Sequence, residues 1–225
     1  MSFPVDPPPA TRAGSRARVA AAESSRTNDP QATMADILAV ATAEFAAKGF
    51  SGGRIDEIAS ATKTSKRMIY YYFGSKEGLY TRVLEQAYRR IREIEADLRL
   101  ADLPPEAALR ALVEFTVRYQ WDNQDFIRLV MNENIHRGEF LSQSEAIRAL
   151  NVPAIKAVRA VYERGVAEGV FRPGLDLVDL HMSISALSFF NVSNQHTFSL
   201  IFGRGIDIER RAHDSAEMLL RFVRA

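Results

Sequence analysis

From about residue 33 to the C-terminus, apolar side chains recur at steps of three and four residues. The first such run consists of Met34, Ile37, Leu38, Ala41 and Phe45. At about 100° per residue, this spacing puts them on one face of an α-helix. No segment alternates apolar and polar residues between hairpin turns, as a strand would. The pattern therefore predicts an all-α fold of about nine helices.

Capping residues indicate where several of these helices begin and end. Lys48-Gly49 marks the end of the first helix, because a last-turn cation and a glycine commonly close a helix. Ser65 and Ser75 are suitable N-caps for the third and fourth helices. Pro153 is expected to kink or interrupt a later helix that runs from about 144 to 168.

The first thirty residues differ in composition, with much Pro, Ala, Ser and Arg and few bulky apolar side chains. Such a segment buries too little surface to offset the entropy lost on ordering, so residues 1–30 are predicted to be a disordered tail. A solvated leader is favoured over the other interpretation, a basic arm on DNA. The arginines that would form that arm are Arg12, Arg16, Arg18 and Arg26.

Composition excludes several classes of protein. The 225 residues include no cysteine, which rules out disulfides, thiolate zinc sites and cysteine nucleophiles. No apolar run approaches the roughly 18–20 residues needed to span a bilayer, and no secretion signal is present. A cytoplasmic protein without a membrane partner is therefore expected. The 29 basic and 28 acidic residues nearly cancel, which by itself disfavours a nucleic-acid partner.

The segment 54–79, RIDEIASATKTSKRMIYYYFGSKEGL, carries the most specific signal. Two short helices joined by a tight connection at 62–64 predict a helix-turn-helix, whose second helix can enter a DNA major groove. One arc of that second helix would carry Lys66, Arg67, Tyr70 and Tyr71, with Met68 at its boundary. Cations and phenol hydroxyls suit phosphate oxygens and base edges.

Lys76 strengthens this prediction, because it begins the fourth helix. Free backbone N–H groups and the helix dipole already favour an anion there, and the ammonium group would reinforce a phosphate clamp. The alternative is a solvated cationic face with half-buried tyrosines. Any one of these residues alone would fit that alternative, but the whole arrangement favours DNA.

These motifs resemble the tetracycline-repressor (TetR) family of one-component bacterial regulators. The family pattern has a first helix that ends in phenylalanine and glycine, Ile-Ala in the second helix, and a serine-led third helix that ends in aromatic residues and is followed by a lysine. The resemblance covers about residues 33–80. The matching positions are Phe45, Gly49-Phe50, Ile58-Ala59, Ser65, Ile69-Tyr70, Tyr72-Phe73 and Lys76-Glu77.

The resemblance implies a role for each matching residue. It implies phosphate contacts by Ser65, Tyr70, Tyr72 and Lys76. It implies base-edge contacts by Lys66, Arg67 and Met68. Arg54 replaces the usual threonine at the start of the second helix and is expected to bind phosphate as a cation. Lys63 stands where the family usually has glycine, so a positive φ would be strained there. Gly78 replaces a frequent glutamate.

For residues 81–225 the resemblance implies a domain for effector binding and dimerisation. The helix at 177–192, opened by Asp176, is apolar nearly all round and must be covered on two sides. The last helix, from about Ile208, carries the small residues Ala212, Ser215 and Ala216, which permit close helix approach. These two helices predict a homodimer through a four-helix bundle. The alternative is that both are buried within one monomeric core.

Aromatic and amide side chains predict a pocket for a small, mostly apolar or aromatic effector with a few hydrogen-bonding groups. The candidate ligand-binding residues are Trp121, Phe126, Met131, Asn134, Tyr162, Phe189, Phe190 and Asn194. For any single one of them, a plain core or surface position is the competing interpretation.

Together these features predict a dimeric, ligand-responsive transcriptional repressor that reads a near-palindromic DNA operator through its third helix. The alternative is a DNA-binding scaffold without an effector. An enzyme is disfavoured, because the four histidines lack metal-ligand spacing and no nucleophile or phosphate-loop motif occurs. Neither a cofactor nor a metal ion is expected.

The distribution of charge removes the objection to DNA. Residues 31–90 carry nine basic and six acidic side chains, whereas residues 91–225 carry 16 basic and 19 acidic ones. The near-neutral total is therefore an average over a basic DNA-reading end and an acidic regulatory end.

Overall fold

The computed structural model describes residues 29–225, and across that range the chain forms ten α-helices and no β-strand. The all-α prediction is confirmed. The helices are α1 (Pro30–Gly52), α2 (Ile55–Ala61), α3 (Lys66–Phe73), α4 (Lys76–Ala96), α5 (Pro105–Asp122), α6 (Gln124–Ile135), α7 (Glu145–Ala167), α8 (Leu177–Ser193), α9 (Gln195–Phe202) and α10 (Ile208–Val223). Short 3-10 turns at Leu100–Asp102 and Leu141–Gln143 connect α4 to α5 and α6 to α7.

The predicted N-caps are confirmed by hydrogen bonds. The hydroxyls of Ser65 and Ser75 accept from the backbone N–H groups of Met68 (3.2 Å) and Gly78 (3.1 Å). Asp176 accepts from the first turn of α8 in the same way. Each cap satisfies a donor that a helix N-terminus otherwise leaves unpaired.

The N-terminal boundary differs slightly from the prediction. Asp29 caps α1 and Pro30 is its first residue, so the helix and its cap together include the last two positions of the predicted tail. The remainder of that tail, with its four arginines, lies outside the described residues. At the other end of α1, Gly49 has φ +69° and interrupts the helical backbone where its end was predicted.

Two helical features refine the sequence-based expectations, which allowed either a kink or an interruption at Pro153. Helix α7 runs through Pro153 as one element, because Pro153 and Ala149, whose carbonyl loses its helical donor, both lie on the solvent side. The packing of α7 against α4, α5 and α8 holds its two halves together. Helix α9 is the additional tenth helix. Only Asn194 separates it from α8, so no turn signal marks its start.

Two apolar cores hold the helices together. The first is formed by α1–α4 and also includes Leu129, Phe140 and Ile147 from α6, the following loop and α7. The second is formed mainly by α5, α7, α8 and α10, around residues such as Leu112. The helix-turn-helix therefore shares its core with the rest of the chain.

Candidate nucleic-acid interface and ligand cavity

Helix α3 presents one buried and one exposed face. Ile69 is fully buried in the first core, whereas Tyr71 is 77% exposed. Tyr72 is half-buried, with its ring 5.3 Å from that of Tyr71. The exposed positions include Lys66, Arg67, Met68, Tyr70 and Tyr71, which are all predicted to face DNA. The helix therefore offers a continuous surface of cations and phenol groups.

Two lysines at the margins of this surface, Lys66 on α3 and Lys76 on α4, contact neighbouring elements. Lys66 forms an ion pair with Asp56 of α2, but both side chains are about half exposed, so the pair is weak and a phosphate can displace it. Lys76 donates to the carbonyl oxygen of Ser51 at 3.4 Å, and its Nζ lies 4.8 Å from the centre of the Phe50 ring. The ammonium group is thereby held at the N-terminus of α4.

The remaining predicted DNA contacts lie at helix N-termini. The Ser65 hydroxyl oxygen accepts from Met68 N–H in the α3 cap. A hydroxyl can donate while it accepts, so its O–H can still donate to a phosphate. Arg54 is exposed at the start of α2, where its backbone N–H donates to Glu44 at 3.0 Å. Both positions fit the phosphate contacts that the sequence predicts.

Two departures from the family pattern have structural consequences. Lys63 has φ +52°, the left-handed conformation in which a side chain is strained. Gly78 packs so tightly that a β-carbon would collide with the carbonyl oxygen of Phe73. The turn between α2 and α3 is therefore strained, whereas the start of α4 requires its glycine.

A cavity of about 350 Å³ lies among α4, α5, α6, α7 and α8. Of the eight residues predicted to bind a ligand, Phe126 and Phe189 line it. Its other walls are formed mainly by Tyr88, Ile91, Leu112, Ile127, Val130 and Ile184, and its polar lining includes Arg92, Glu95, Thr116, Gln120, Asn151 and His181. The cavity thus combines apolar and aromatic walls with a cluster of hydrogen-bonding groups.

The other six candidates lie elsewhere. Tyr162 is part of the second core, where its hydroxyl donates to the carbonyl oxygen of Arg172 (2.8 Å) and accepts from Leu175 N–H (3.0 Å). Phe190 points to the outer face of α8, and Asn194 donates to Ser193 between α8 and α9. Asn134 is exposed and bonds to its own helix. Trp121 and Met131 are half-buried and do not line the cavity.

The polar residues of the cavity were not predicted from the sequence. Arg92 and Glu95 form an ion pair one helical turn apart, with little side-chain exposure. Burial raises the pKa of Glu95, and Arg92 partly offsets this. Burial, reinforced by Arg92, lowers the pKa of His181, so its imidazole is neutral at pH 7.

A signal for these residues exists in the sequence. On α5, Thr116 and Gln120 continue the apolar series of Leu109, Leu112 and Val113, so they lie on the buried face. A polar residue that continues the three- and four-residue spacing of the apolar face of a helix is expected to be buried. Glu95 follows Ile91 by four residues on α4 in the same way.

A second apolar surface covers the outer faces of α8 and α10. We define the outer face as Val178, Met182 and Phe190 of α8 with Met218 and Phe222 of α10, which are all well exposed. The small residues Ala212, Ser215 and Ala216 instead lie on the buried side of α10, which packs along α5. The close approach that they permit is therefore made within the chain.

Residues 29–225 contain neither a grouping of metal ligands nor a membrane-spanning helix. No three metal-ligating side chains are grouped so as to hold an ion. None of the helices in this range combines the length and hydrophobicity that crossing a bilayer requires.

Two family models match the chain. Residues 37–83 match the model described as "Bacterial regulatory proteins, tetR family", and residues 105–223 match "Tetracyclin repressor-like, C-terminal domain". The first match includes the helix-turn-helix, and the second includes most of the residues that line the cavity.

Named relatives agree with these matches. The HTH-type transcriptional repressor NicS of Pseudomonas putida is 40% identical over 181 residues, which are 80% of this chain and 82% of that protein. The HTH-type transcriptional repressor SCO4008 of Streptomyces coelicolor is 31% identical over 158 residues, 70% of this chain and 78% of that protein.

Solved structures confirm the fold. A tetR-family regulatory protein from Rhodococcus RHA1 superposes with a TM-score of 0.69 at 22% identity, covering 86% of this chain and 97% of that one. The ketosteroid regulator KstR2 of Mycobacterium tuberculosis superposes with a TM-score of 0.64 at 18% identity, covering 85% and 95%. Together with the family models and the relatives, these findings show that the chain belongs to the TetR family and is a DNA-binding transcriptional regulator, not an enzyme.

Proposed function

We propose that the protein is a homodimeric repressor that binds a near-palindromic operator and changes its DNA affinity when a small molecule occupies the cavity. The observation that carries this proposal is the course of α4. Its first residue, Lys76, lies beside the exposed face of α3, and Tyr88, Arg92 and Glu95 of the same helix line the cavity. A helix of 21 residues is about 30 Å long, so one rigid element connects both sites.

On the DNA side, residues 31–80 act as the reading unit. Lys66, Arg67 and Met68 face base edges, while Tyr70, Tyr71 and Lys76 contact phosphates. Arg54, Ser65 and Tyr72 add phosphate contacts at the margins. Support comes from the exposure of the α3 face and from the contacts that hold Lys76 in place.

The remainder, residues 81–225, binds the effector and forms the dimer. The outer face supports dimerisation, because an apolar strip along two packed helices is a suitable seam for a four-helix bundle. In such a dimer the two α3 helices enter successive major grooves roughly 34–36 Å apart. Two half-sites related by the two-fold axis make the operator near-palindromic.

Repression is the favoured outcome, since two relatives that match most of this chain are named transcriptional repressors. An effector that fits the cavity better at a different α3 spacing shifts the population away from DNA. A coupling free energy of about 1–3 kcal/mol lowers DNA affinity 5–150-fold. The protein acts in the cytoplasm, where the operator is located.

The test is a selection of bound sequences from a random DNA pool, followed by anisotropy titrations on the selected operator with a panel of metabolites. A near-palindromic consensus and at least one compound that changes the affinity 5-fold or more are expected. Failure to enrich any sequence would overturn the proposal. An enriched operator without any responsive compound would favour the scaffold alternative.

A matched variant sharpens the assignment of base contacts. Arg67→Ala is measured on the selected operator and on versions substituted at single base pairs. It is expected to flatten the preference at one or two positions. The same loss on every sequence would make Arg67 a phosphate contact instead.

A further inference from the structure

Two polar atoms of the cavity are buried without a hydrogen-bond partner. Gln120 is 6% exposed, and its amide oxygen Oε1 has no donor within reach. The guanidinium Nε of Arg92 is buried and has no acceptor, because the ion pair with Glu95 uses a terminal nitrogen. Buried polar groups are nearly always paired in native proteins, so each atom calls for an explanation. Gln120 Oε1 needs a hydrogen-bond donor, and Arg92 Nε–H needs an acceptor.

The charges in the cavity cancel. Arg92 and Glu95 form one ion pair, and the neutral imidazole of His181 adds no charge. An anionic ligand would bring a second negative charge close to Glu95, and a cation would do the same to Arg92. Unpaired charge is costly in a buried site, so an uncharged ligand is favoured.

The shape and the walls of the cavity favour an aromatic ligand. The rings of Tyr88 and Phe126 meet edge to face at 5.3 Å, and Phe189 lines the same space. Aromatic rings prefer such offset and perpendicular neighbours. A cavity of about 150 Å³ holds benzene, so the 350 Å³ here leaves room for one ring with a substituent or for two fused rings.

We propose that the effector is an uncharged aromatic amide or lactam, whose carbonyl oxygen accepts from Arg92 Nε–H and whose N–H donates to Gln120 Oε1. An amide supplies one acceptor and one donor without a net charge, which matches the two unpaired atoms. This inference rests on the proposed function, since it names the chemical class of ligand for the same cavity.

Three probes of nearly equal size separate the effects of the carbonyl acceptor, the N–H donor and a negative charge on binding. Benzamide has a carbonyl and N–H groups, acetophenone has the carbonyl alone, and benzoate is an anion. Their affinities are measured by calorimetry and ligand-observed NMR at roughly millimolar concentrations, the range expected for ligands of this size. We expect benzamide to bind about 3- to 10-fold more tightly than acetophenone, which is the effect of one hydrogen bond. Benzoate should be the weakest of the three.

Two variants assign these preferences to residues. Gln120→Met keeps the side-chain length but removes the acceptor, so benzamide and acetophenone should bind equally. Glu95→Gln leaves Arg92 as the one formal charge of the cavity, so benzoate should gain at least 10-fold relative to benzamide. Circular dichroism and thermal unfolding establish that each variant is folded.

Several results would overturn the inference. Benzoate could bind wild-type protein as tightly as benzamide, or the benzamide preference could survive in Gln120→Met. Absence of binding by all three probes would also reject the amide class. The DNA selection described above remains independent: an operator with responsive carboxylates or hydrocarbons would refute this ligand class while leaving the proposed function intact.

Discussion

The rings of Phe50 and Phe140 lie 4.4 Å apart, centre to centre, and connect the end of α1 with the loop after α6. Phe50 follows the end of the main part of α1 and lies under the ammonium group of Lys76. Phe140 belongs to the loop after α6, where the carboxylate of Glu133, 1% exposed, accepts from its backbone N–H at 3.2 Å. Because α6 also lines the cavity with Phe126, the following loop, Phe140 and Phe50 form a path of contacts from this helix to Lys76.

Phe140→Ala is expected to lower the free energy of unfolding by about 3–5 kcal/mol, because it leaves a void between Phe50 and Tyr80. The measurement is urea unfolding followed by circular dichroism. Tyr71→Ala is the control, since its ring is exposed and its loss should change stability by less than about 1 kcal/mol. Equal effects of the two substitutions would show that Phe140 does not support the core.

Lys63→Gly is expected to stabilise the protein by about 0.5–1 kcal/mol. The positive φ of Lys63 costs about 1–2 kcal/mol, which glycine removes, while the greater freedom of glycine in the unfolded chain offsets part of the gain. Lys63→Ala removes the same charge but retains the β-carbon, so it should bring no such gain. Thermal unfolding of both variants checks this, and an equal rise in Tm for both would contradict the role of strain.

The sequence predicted the helix-turn-helix well because its determinants are local. The cap at Ser65, the burial of Ile69 and the exposure of Tyr71 follow from helix period and capping alone. The strain at Lys63 followed from comparison with a family pattern. Local rules therefore suffice for the helices of this short motif, although Leu129, Phe140 and Ile147 from later elements complete its core.

The cavity could not be predicted in the same way. Tyr162 and Phe190 have suitable chemistry, but Tyr162 faces the second core and Phe190 faces outward. Arg92 and Glu95 were not among the residues predicted to bind a ligand, yet both line the cavity. Helix periodicity indicates which residues share a face, whereas the neighbour of that face depends on how distant helices pack.

Lys76→Ala is expected to weaken operator binding and to reduce the slope of log K against log salt concentration by about 1, as the loss of one phosphate contact requires. The tie to Ser51 and Phe50 holds the ammonium group in place, so the loss should be similar on all sequences. Anisotropy titrations between low and moderate salt measure the slope. Lys156→Ala on α7 removes the same charge from an exposed position in the other half of the chain and should leave the slope unchanged. An unaltered slope in Lys76→Ala would exclude the phosphate contact.

Met182→Arg is expected to separate the proposed dimer, because it places a charge in the middle of the outer face, where Met182 is 62% exposed in one chain. Sedimentation equilibrium should then give the mass of a monomer, and operator affinity should fall because half-sites are bound singly. Leu200→Arg is the matched control, since Leu200 of α9 is 83% exposed and is not one of the residues of the outer face. A dimer that persists in Met182→Arg but dissociates in Leu200→Arg would move the interface to α9.

His181→Gln is expected to reduce the loss of stability on acidification. The pKa of His181 lies below its ordinary value of 6.5 because burial, and then Arg92, disfavour the imidazolium. As the pH falls below about 6.5, the unfolded chain gains a proton at this position that the folded chain does not. The free energy of unfolding of the wild type therefore decreases with falling pH until the folded pKa is reached, and it does not depend on His181 well above pH 7.

The comparison isolates His181 from its neighbours. Glu95, whose pKa is raised in the folded protein, contributes with the opposite sign, since the folded state takes up its proton first. Both proteins retain Glu95, Arg92 and Tyr88, so their contributions largely cancel in the difference between wild type and variant. Urea unfolding from pH 5.5 to 8 should show a shallower acid limb in His181→Gln and parallel curves above pH 7. Parallel curves over the whole range would mean that His181 has the same pKa in the folded and unfolded chains, and the imidazole would then be charged on acidification inside the cavity.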